Sequence, residues 1–150
     1  MNNSNIDIVK GIAELIAETV GREDRIVAVY LFGSSLSDTC KKSSDVDLAF
    51  LLDEPHYDSD PIKAVSPAYM IAARIGISLA KETDVTILNN ASFEIAYEVI
   101  TTGLCVYEID QDRRLEYECK IRGLYFDFIP FIDELRSKNL ERLLNRAGGS

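Results

Sequence analysis

Two apolar runs, separated by small and acidic residues, constrain the fold of this chain more than any other feature. The first run is followed by Gly33 and Ser34, and Asp45 and Asp47 lie at the start of the second; the runs are residues 26–32 and 46–52. Apolar runs of seven residues that contain β-branched and aromatic side chains predict strands, the first of them central and buried on both faces. The polar residues between the runs therefore fall at strand ends.

The acidic pair indicates a site for a metal-bound phosphate. Residues i and i+2 of a strand face the same side, about 7 Å apart, so Asp45 and Asp47 would project together. Two such carboxylates repel each other unless a cation lies between them. Mg²⁺ takes carboxylates together with phosphate oxygens and water. Gly33 would let the backbone approach a phosphate, and Ser34 would offer a hydroxyl and the N–H groups of a helix start.

A third carboxylate is available in Asp84. Residues 83–88, TDVTIL, alternate as a third strand would, with Val85 and Ile87 on one face and Asp84 and Thr86 on the other. Taken alone, a Gly-Ser pair is typical of a turn, and a D-x-D pair or a single strand acid is typical of a solvated strand end. Their joint occurrence at the ends of apolar strands indicates metal-dependent phosphate chemistry.

The remaining elements predict one domain over residues 1–150, of α+β class with a small mixed sheet flanked by helices. Helical periodicity predicts helices over 6–20, about 67–81 and 92–103, and the chain after Gly33 could form a helical turn or two. A fourth strand is expected at 104–109 and a C-terminal helical segment at about 112–146, interrupted or kinked at Pro130. Residues 53–61 are interpreted as a turn-rich loop, with Pro61 suited to a helix start, and the last five residues as disordered.

Composition narrows the class of protein further. A net charge of −9 disfavours direct nucleic-acid binding, which needs an excess of Lys and Arg, but suits a basic protein partner or a phosphate substrate carried by metal ions. No apolar run approaches 18 residues and no signal peptide is visible, so no membrane contact is expected. The three cysteines, Cys40, Cys105 and Cys119, share no C-x-x-C spacing and indicate reduced thiols of a cytoplasmic protein.

These residues carry a family resemblance. Gly33-Ser34, ten residues, then Asp45-x-Asp47 resembles the GS-x10-DxD pattern of the DNA polymerase beta-like nucleotidyltransferases, and Asp84 matches their third carboxylate. The small size and the C-terminal segment YFDFIPFIDELRSKNLERLL resemble more particularly the minimal nucleotidyltransferase antitoxins of the MntA type, partners of HEPN-domain ribonuclease toxins. The resemblance covers nearly the whole chain, and its motif is more specific for the superfamily than for the antitoxin branch.

The resemblance implies a polymerase beta-like fold with a nucleoside triphosphate, ATP, in the cleft. Gly33 and Ser34 would hold the β- and γ-phosphates, and Asp45 and Asp47 would ligate two Mg²⁺ ions. Asp84 would complete the catalytic metal site and help to deprotonate the acceptor hydroxyl. For an antitoxin of this type the acceptor is a tyrosine of the cognate HEPN toxin, which becomes adenylylated and inactive. Chemistry of this kind needs few protein acids and bases, which suits a chain with one histidine.

Two other functions remain open at this stage. The first is a transferase that modifies a small molecule such as an aminoglycoside, although such enzymes need an additional substrate-binding region and only the C-terminal helix is available. The second is a non-catalytic antitoxin that sequesters its toxin. The crowded aromatic and aliphatic residues of the C-terminal segment fit either internal packing or a partner surface; they are Tyr125, Phe126, Phe128, Ile129 and Phe131.

Overall fold

The structure, a computed structural model, describes residues 3–21, 24–33 and 45–148 and confirms the α+β class. In chain order the elements are α1 (Asn3–Thr19), β1 (Ile26–Phe32), β2 (Val46–Leu52), α2 (Glu54–Ser59), α3 (Pro61–Leu79), β3 (Thr83–Ile87), a 3₁₀ turn (Leu88–Asn90), α4 (Phe93–Thr102), β4 (Leu104–Glu108) and α5 (Gln111–Gly148). The predicted helical turn and polar loop of residues 34–44 lie outside the described residues.

The four strands form one mixed sheet in the order β3-β2-β1-β4. β1 pairs antiparallel with β2 and with β4, whereas β2 and β3 run parallel. This topology brings the C-terminal end of β1 and the N-terminal ends of β2 and β3 to the same end of the sheet. The sheet therefore gathers Gly33, Asp45, Asp47 and Asp84 at that end, which is called the carboxylate edge below.

Helices cover both faces of the sheet and bury two apolar clusters. α1 and α3 pack on one face, and the cluster there includes Ile12, Ile16, Val29, Leu31, Leu48, Phe50, Ala68, Ile71 and Ile75. α4 and α5 pack on the other face, with Ala28, Tyr30, Ala49, Leu51, Ala96, Val99 and Ile121. Alternate residues of β1 and β2 enter opposite clusters, so both strands are central and buried on both sides, as predicted for the first of them.

The interpretation of residues 53–61 as a loop was wrong. Asp53 accepts a hydrogen bond from the backbone N–H of His56 at 3.1 Å and caps α2, and Asp60 caps α3 through the N–H of Lys63 at 3.2 Å. α3 begins at Pro61 rather than near residue 67, and Pro67 lies inside it. The sequence reading took the acidic residues for solvated loop residues, whereas two of them satisfy the orphan N–H groups of successive helices.

α5 is helical from Gln111 through Gly148, so the expected interruption at Pro130 was wrong, whereas a kink there stays a prediction. Its first half packs on the sheet, and its aromatic residues contact α4: Tyr125 stacks on Tyr97 with ring centroids 3.6 Å apart. Phe126, Phe128 and Phe131 are exposed, so the aromatic cluster is divided between internal packing and surface. Disorder of the last five residues was expected, but the first three of them, residues 146–148, belong to α5, and residues 149–150 lie outside the described range.

α3 is the described helix that is long and apolar enough to cross a membrane by length and composition. The sequence shows no uninterrupted apolar run of this length, because Lys63, Ser66 and Arg74 lie among the apolar residues of α3. A core helix of a globular protein passes the same test, and α3 buries one face on the sheet. Cys105 and Cys119 are free thiols, and Cys40 lies outside the described residues.

Candidate active site

Strand register places two of the three predicted carboxylates side by side. Asp47 of β2 is the register partner of Asp84 in the parallel strand β3. On its other side Asp47 is paired with Phe32, the last residue of β1. Neighbouring strands lie about 4.8 Å apart, so side chains of one register row on one face meet directly. Asp45 precedes β2 by one residue, two positions before Asp47.

Gly33 lies directly against the carboxylate of Asp47. Its φ is +74°, in the region where L side chains are strained, and a Cβ at this position would lie 2.3 Å from Oδ2 of Asp47. Both the backbone turn after β1 and the space beside the carboxylate therefore require glycine. Ser34, the other predicted phosphate-binding residue, lies outside the described residues.

The three carboxylates form one electrostatic unit centred on Asp47. Burial raises the pKa of the Asp47 carboxyl above its usual value, and the negative charges of Asp84 and then Asp45 raise it further. A side-chain contact with Asp84 acts in the same direction. Such mutual repulsion is what a divalent cation would relieve. The donor set, carboxylate oxygens only, is of the kind that Mg²⁺ takes.

The side chains do not yet converge into a metal-binding cluster. Across residues 3–21, 24–33 and 45–148, no three Asp, Glu, His or Cys side chains come close enough together to hold an ion. Asp84 is exposed, while Asp45 and Asp47 are half-buried. Joint ligation by the three would require rotation of their side chains toward a shared ion. Because the three residues lie at adjacent strand ends, we expect this convergence to need changes of side-chain χ angles and no movement of the backbone.

Contacts that the sequence reading missed hold the carboxylate edge in place. The hydroxyl of Thr83 donates to the carbonyl of Ala72 at 3.1 Å, which fixes the start of β3 against α3. Gly103 ends α4 close to β1: a Cβ there would overlap the carbonyl oxygen of Val99 in the last turn of α4 and would lie 3.2 Å from the carbonyl oxygen of Leu31 in β1. In the sequence Gly103 resembles an ordinary helix end, so nothing signalled its close approach to β1.

One cavity of the described chain lies away from the carboxylate edge. It measures about 580 Å³ and lies at the opposite end of the sheet, between α2 and α5, with Leu51, Tyr57 and Tyr117 among its lining residues. Burial raises the pKa of the Tyr117 hydroxyl. The charged groups on its walls are of mixed sign, Arg113 and Lys120 with Glu54, Asp58 and Glu116. We therefore take the carboxylate edge as the candidate active site, because strand register brings Asp47 and Asp84 together there and their charges act on each other.

Comparison with known proteins supplies a family and a fold. A family model described as polymerase beta, nucleotidyltransferase matches residues 14–112. Curated proteins gave no match. The chain is similar to a chain in the crystal structure of a toxin–antitoxin with AMP-PNP, at 23% identity and a TM-score of 0.56 over 91% of this chain and 99% of that one.

Two further solved structures give the same picture. One contains a tri-AMPylated Shewanella oneidensis HEPN toxin in complex with an MNT antitoxin; the match has 22% identity and a TM-score of 0.56 over 88% of this chain and 98% of that one. The other is the toxin–antitoxin MntA–HepT, at 20% identity and a TM-score of 0.51 over 86% and 97%. At these identities the likeness bears on the fold, which is the polymerase beta-like fold expected from the sequence.

Proposed function

Because the chain belongs to the polymerase beta nucleotidyltransferase family, we propose that it is an antitoxin that transfers AMP from ATP to a tyrosine of a cognate HEPN ribonuclease toxin in the cytoplasm. One observation carries the chemical part: Asp47 lies between Gly33 and Asp84, with Asp45 in the same charged group. The partner is suggested by the similar structures, which are described as toxin–antitoxin complexes, one with AMP-PNP and one with a tri-AMPylated HEPN toxin.

The proposed reaction is an in-line displacement at the α-phosphorus. The tyrosine oxygen forms a bond to that phosphorus while the bond to the bridging oxygen of the β-phosphate breaks, and pyrophosphate leaves. The phenolic proton passes to Asp84, the most exposed of the three carboxylates. Gly33 and Ser34 receive the β- and γ-phosphates, because a glycine at this turn lets backbone N–H groups approach phosphate oxygens.

Asp45, Asp47 and Asp84 are the residues that would hold two Mg²⁺ ions. When bound, these ions would stabilise the charge that develops on the attacking and leaving oxygens. The fit rests on the donor chemistry and on the raised pKa of Asp47, whose burial and carboxylate neighbours disfavour its charged form. The register partners of Asp47 are Phe32 and Asp84, so no basic residue is paired with it in the sheet.

The described chain is consistent with a protein acceptor more than with a small molecule. An aminoglycoside-type transferase needs a second wall to enclose its substrate, and the C-terminal half of α5 is exposed rather than folded over the carboxylate edge. Sequestration of the toxin without catalysis remains the alternative to test. At position 33 both the positive φ and the nearby Asp47 carboxylate require glycine. A protein that only sequestered its toxin would have no need of this arrangement.

The experiment uses a HEPN-domain protein as the candidate acceptor, sought first among the products of the genes adjacent to this one. Incubated with ATP and Mg²⁺, the two proteins should yield a toxin whose intact mass has risen by one or more AMP units, located on tyrosine by peptide mapping. The modified toxin should lose its ribonuclease activity. Blocked toxicity with an unchanged toxin mass would establish sequestration instead.

Gly33→Ala tests how closely the carboxylate edge is packed. The new methyl group would overlap Asp47 Oδ2 and sit at a φ of +74°, so the carboxylate must move. We expect AMP transfer to fall by at least about tenfold, in line with the effect of a misplaced catalytic group, with a stability loss of only about 1 kcal/mol. Gly123→Ala is the matched control, because a Cβ there meets nothing within 4 Å. Equal activity of the two variants would contradict the assigned role of Gly33.

A further inference from the structure

α3 is largely apolar, yet only one of its faces is covered. Its buried residues are Ala64, Ala68, Ile71, Ala72 and Ile75. On the outer side Ile62 and Ile77 are each 82% exposed, Met70 is 69% exposed and Tyr69 is 53% exposed. Several large apolar side chains exposed on one side of a helix are typical of an interaction surface, and within the described residues nothing covers this side of α3.

The outer face carries the spacing of a helix-packing seam. Ser66, Met70, Ala73, Ile77 and Ala80 recur at alternating intervals of four and three residues, and all five are exposed; they are called the α3 seam below. This is the a/d spacing at which one helix receives another. Small residues alternate with large ones along the seam, so a second helix can approach closely between Met70 and Ile77. The seam therefore specifies a helical occupant.

Basic residues next to the seam indicate which charge the partner helix should carry. α3 contains no acidic residue in a chain whose net charge is −9. Lys63 and Arg74 lie three turns apart on one edge of the seam, and Lys81 follows the end of the helix. Within the described residues, none of the three has a carboxylate partner: the recorded ion pairs involve Arg25, Arg113, Arg114, Arg122, Arg136 and Lys138. A complementary helix would carry acidic residues along the matching edge.

The seam leads to the carboxylate edge. Its C-terminal part, with Ala73, Gly76, Ile77 and Ala80, lines an open depression of about 570 Å³ that continues to Thr83. Thr83 directly precedes Asp84 in β3. A helix seated on the seam would thus end beside the carboxylate that we propose to accept the proton of the acceptor hydroxyl.

We propose that the α3 seam docks an α-helix of the acceptor protein, one with an apolar stripe flanked by acidic residues, and so presents its tyrosine to Asp84. This inference rests on the proposed function. A second copy of the chain fits less well, because α3 paired with α3 would set two basic edges together without an acid between them. A membrane surface fits less well because the net charge of −9 is repelled by anionic headgroups.

Ile77→Asp tests the docking with little risk to the fold, since Ile77 is 82% exposed. A charge buried in an apolar helix interface should weaken binding of the neighbouring HEPN protein, measured by calorimetry, by at least about tenfold. AMP transfer at low toxin concentration should fall in parallel. Ile95→Asp on α4, also exposed, is the matched control and should bind as the unmodified protein does. Lys63→Glu with Arg74→Glu should slow association, most strongly at low salt.

The outcomes separate the docking from the catalysis. If Ile77→Asp binds and modifies the toxin as well as the unmodified protein, the docking proposal is wrong and the proposed function stands. If the unmodified protein binds through the seam but transfers no AMP, the docking stands and the proposed function is wrong. A homodimer that Ile77→Asp dissociates, or binding to phosphatidylglycerol vesicles that it abolishes, would assign the seam to another occupant and overturn the proposal.

Discussion

Replacement of Asp45 and Asp47 together by Asn is expected to abolish AMP transfer without loss of stability. The double variant removes two of the three proposed Mg²⁺ ligands, and amide oxygens lack the charge that holds the ions against a triphosphate. Stability should be unchanged or slightly higher, because the raised pKa of Asp47 shows that burial, Asp84 and Asp45 all disfavour its charged form. The measurements are intact toxin mass after incubation and the midpoint of thermal unfolding.

The matched control for that variant is Asp58→Asn with Asp112→Asn. Both residues are exposed and belong to α2 and to the start of α5, at the opposite end of the sheet. This pair loses the same formal charge as the test pair, so it should transfer AMP normally if the effect is local. Retained transfer in the Asp45 and Asp47 variant would remove the basis for the two-metal assignment.

Glu118→Leu is expected to produce the largest loss of stability. Glu118 is 6% exposed, and its Oε1 accepts hydrogen bonds from the Tyr30 hydroxyl at 2.7 Å and from Nη1 of Arg114 at 2.8 Å. This network joins α5 to the central strand β1. Burial, more than the contact with Glu118, raises the pKa of the Tyr30 hydroxyl. Removal of the Glu118 carboxylate takes away the hydrogen-bond acceptor of the Tyr30 hydroxyl and a counter-ion of the Arg114 guanidinium. We expect this loss to lower the free energy of unfolding by about 3 kcal/mol.

Urea denaturation at neutral pH measures that loss, with Glu141→Leu as the control. Glu141 is exposed on the same helix, and exposed substitutions of this kind change stability by less than about 0.5 kcal/mol. A loss for Glu118→Leu no greater than that of the control would show that the network does not anchor α5. AMP transfer per folded molecule should stay normal in both variants, because neither residue lies at the carboxylate edge.

Strand positions could be predicted from the sequence because each depends on local pattern. β1 and β2 have the predicted bounds, since their apolar runs stop at Gly33, Asp45 and Asp53. β3 also begins where its alternation does, at Thr83. The pairing of Asp47 with Asp84 could not be derived in this way, because register between strands 37 residues apart depends on how α3 packs across the sheet.

The predicted helix bounds differ from the structure where a proline or an acidic residue is compatible with either a loop or a helix start. Pro61 begins α3 and Pro67 lies within it, while Asp53 and Asp60 act as caps rather than loop residues. Pro130 does not end α5, although a proline inside a helix removes one backbone hydrogen bond. The role of Ser34 remains a prediction, since that residue lies outside the described part of the chain.

Isotope-labelled ATP tests the central claim most directly. The chain, the neighbouring HEPN protein and Mg²⁺ are incubated with ATP labelled either at the α-phosphate or at the γ-phosphate. Transfer of AMP predicts that the α-label appears on a toxin tyrosine, while the γ-label appears only in pyrophosphate. Label from the γ-position on the toxin, or no label on a toxin that is nevertheless inhibited, would contradict the account.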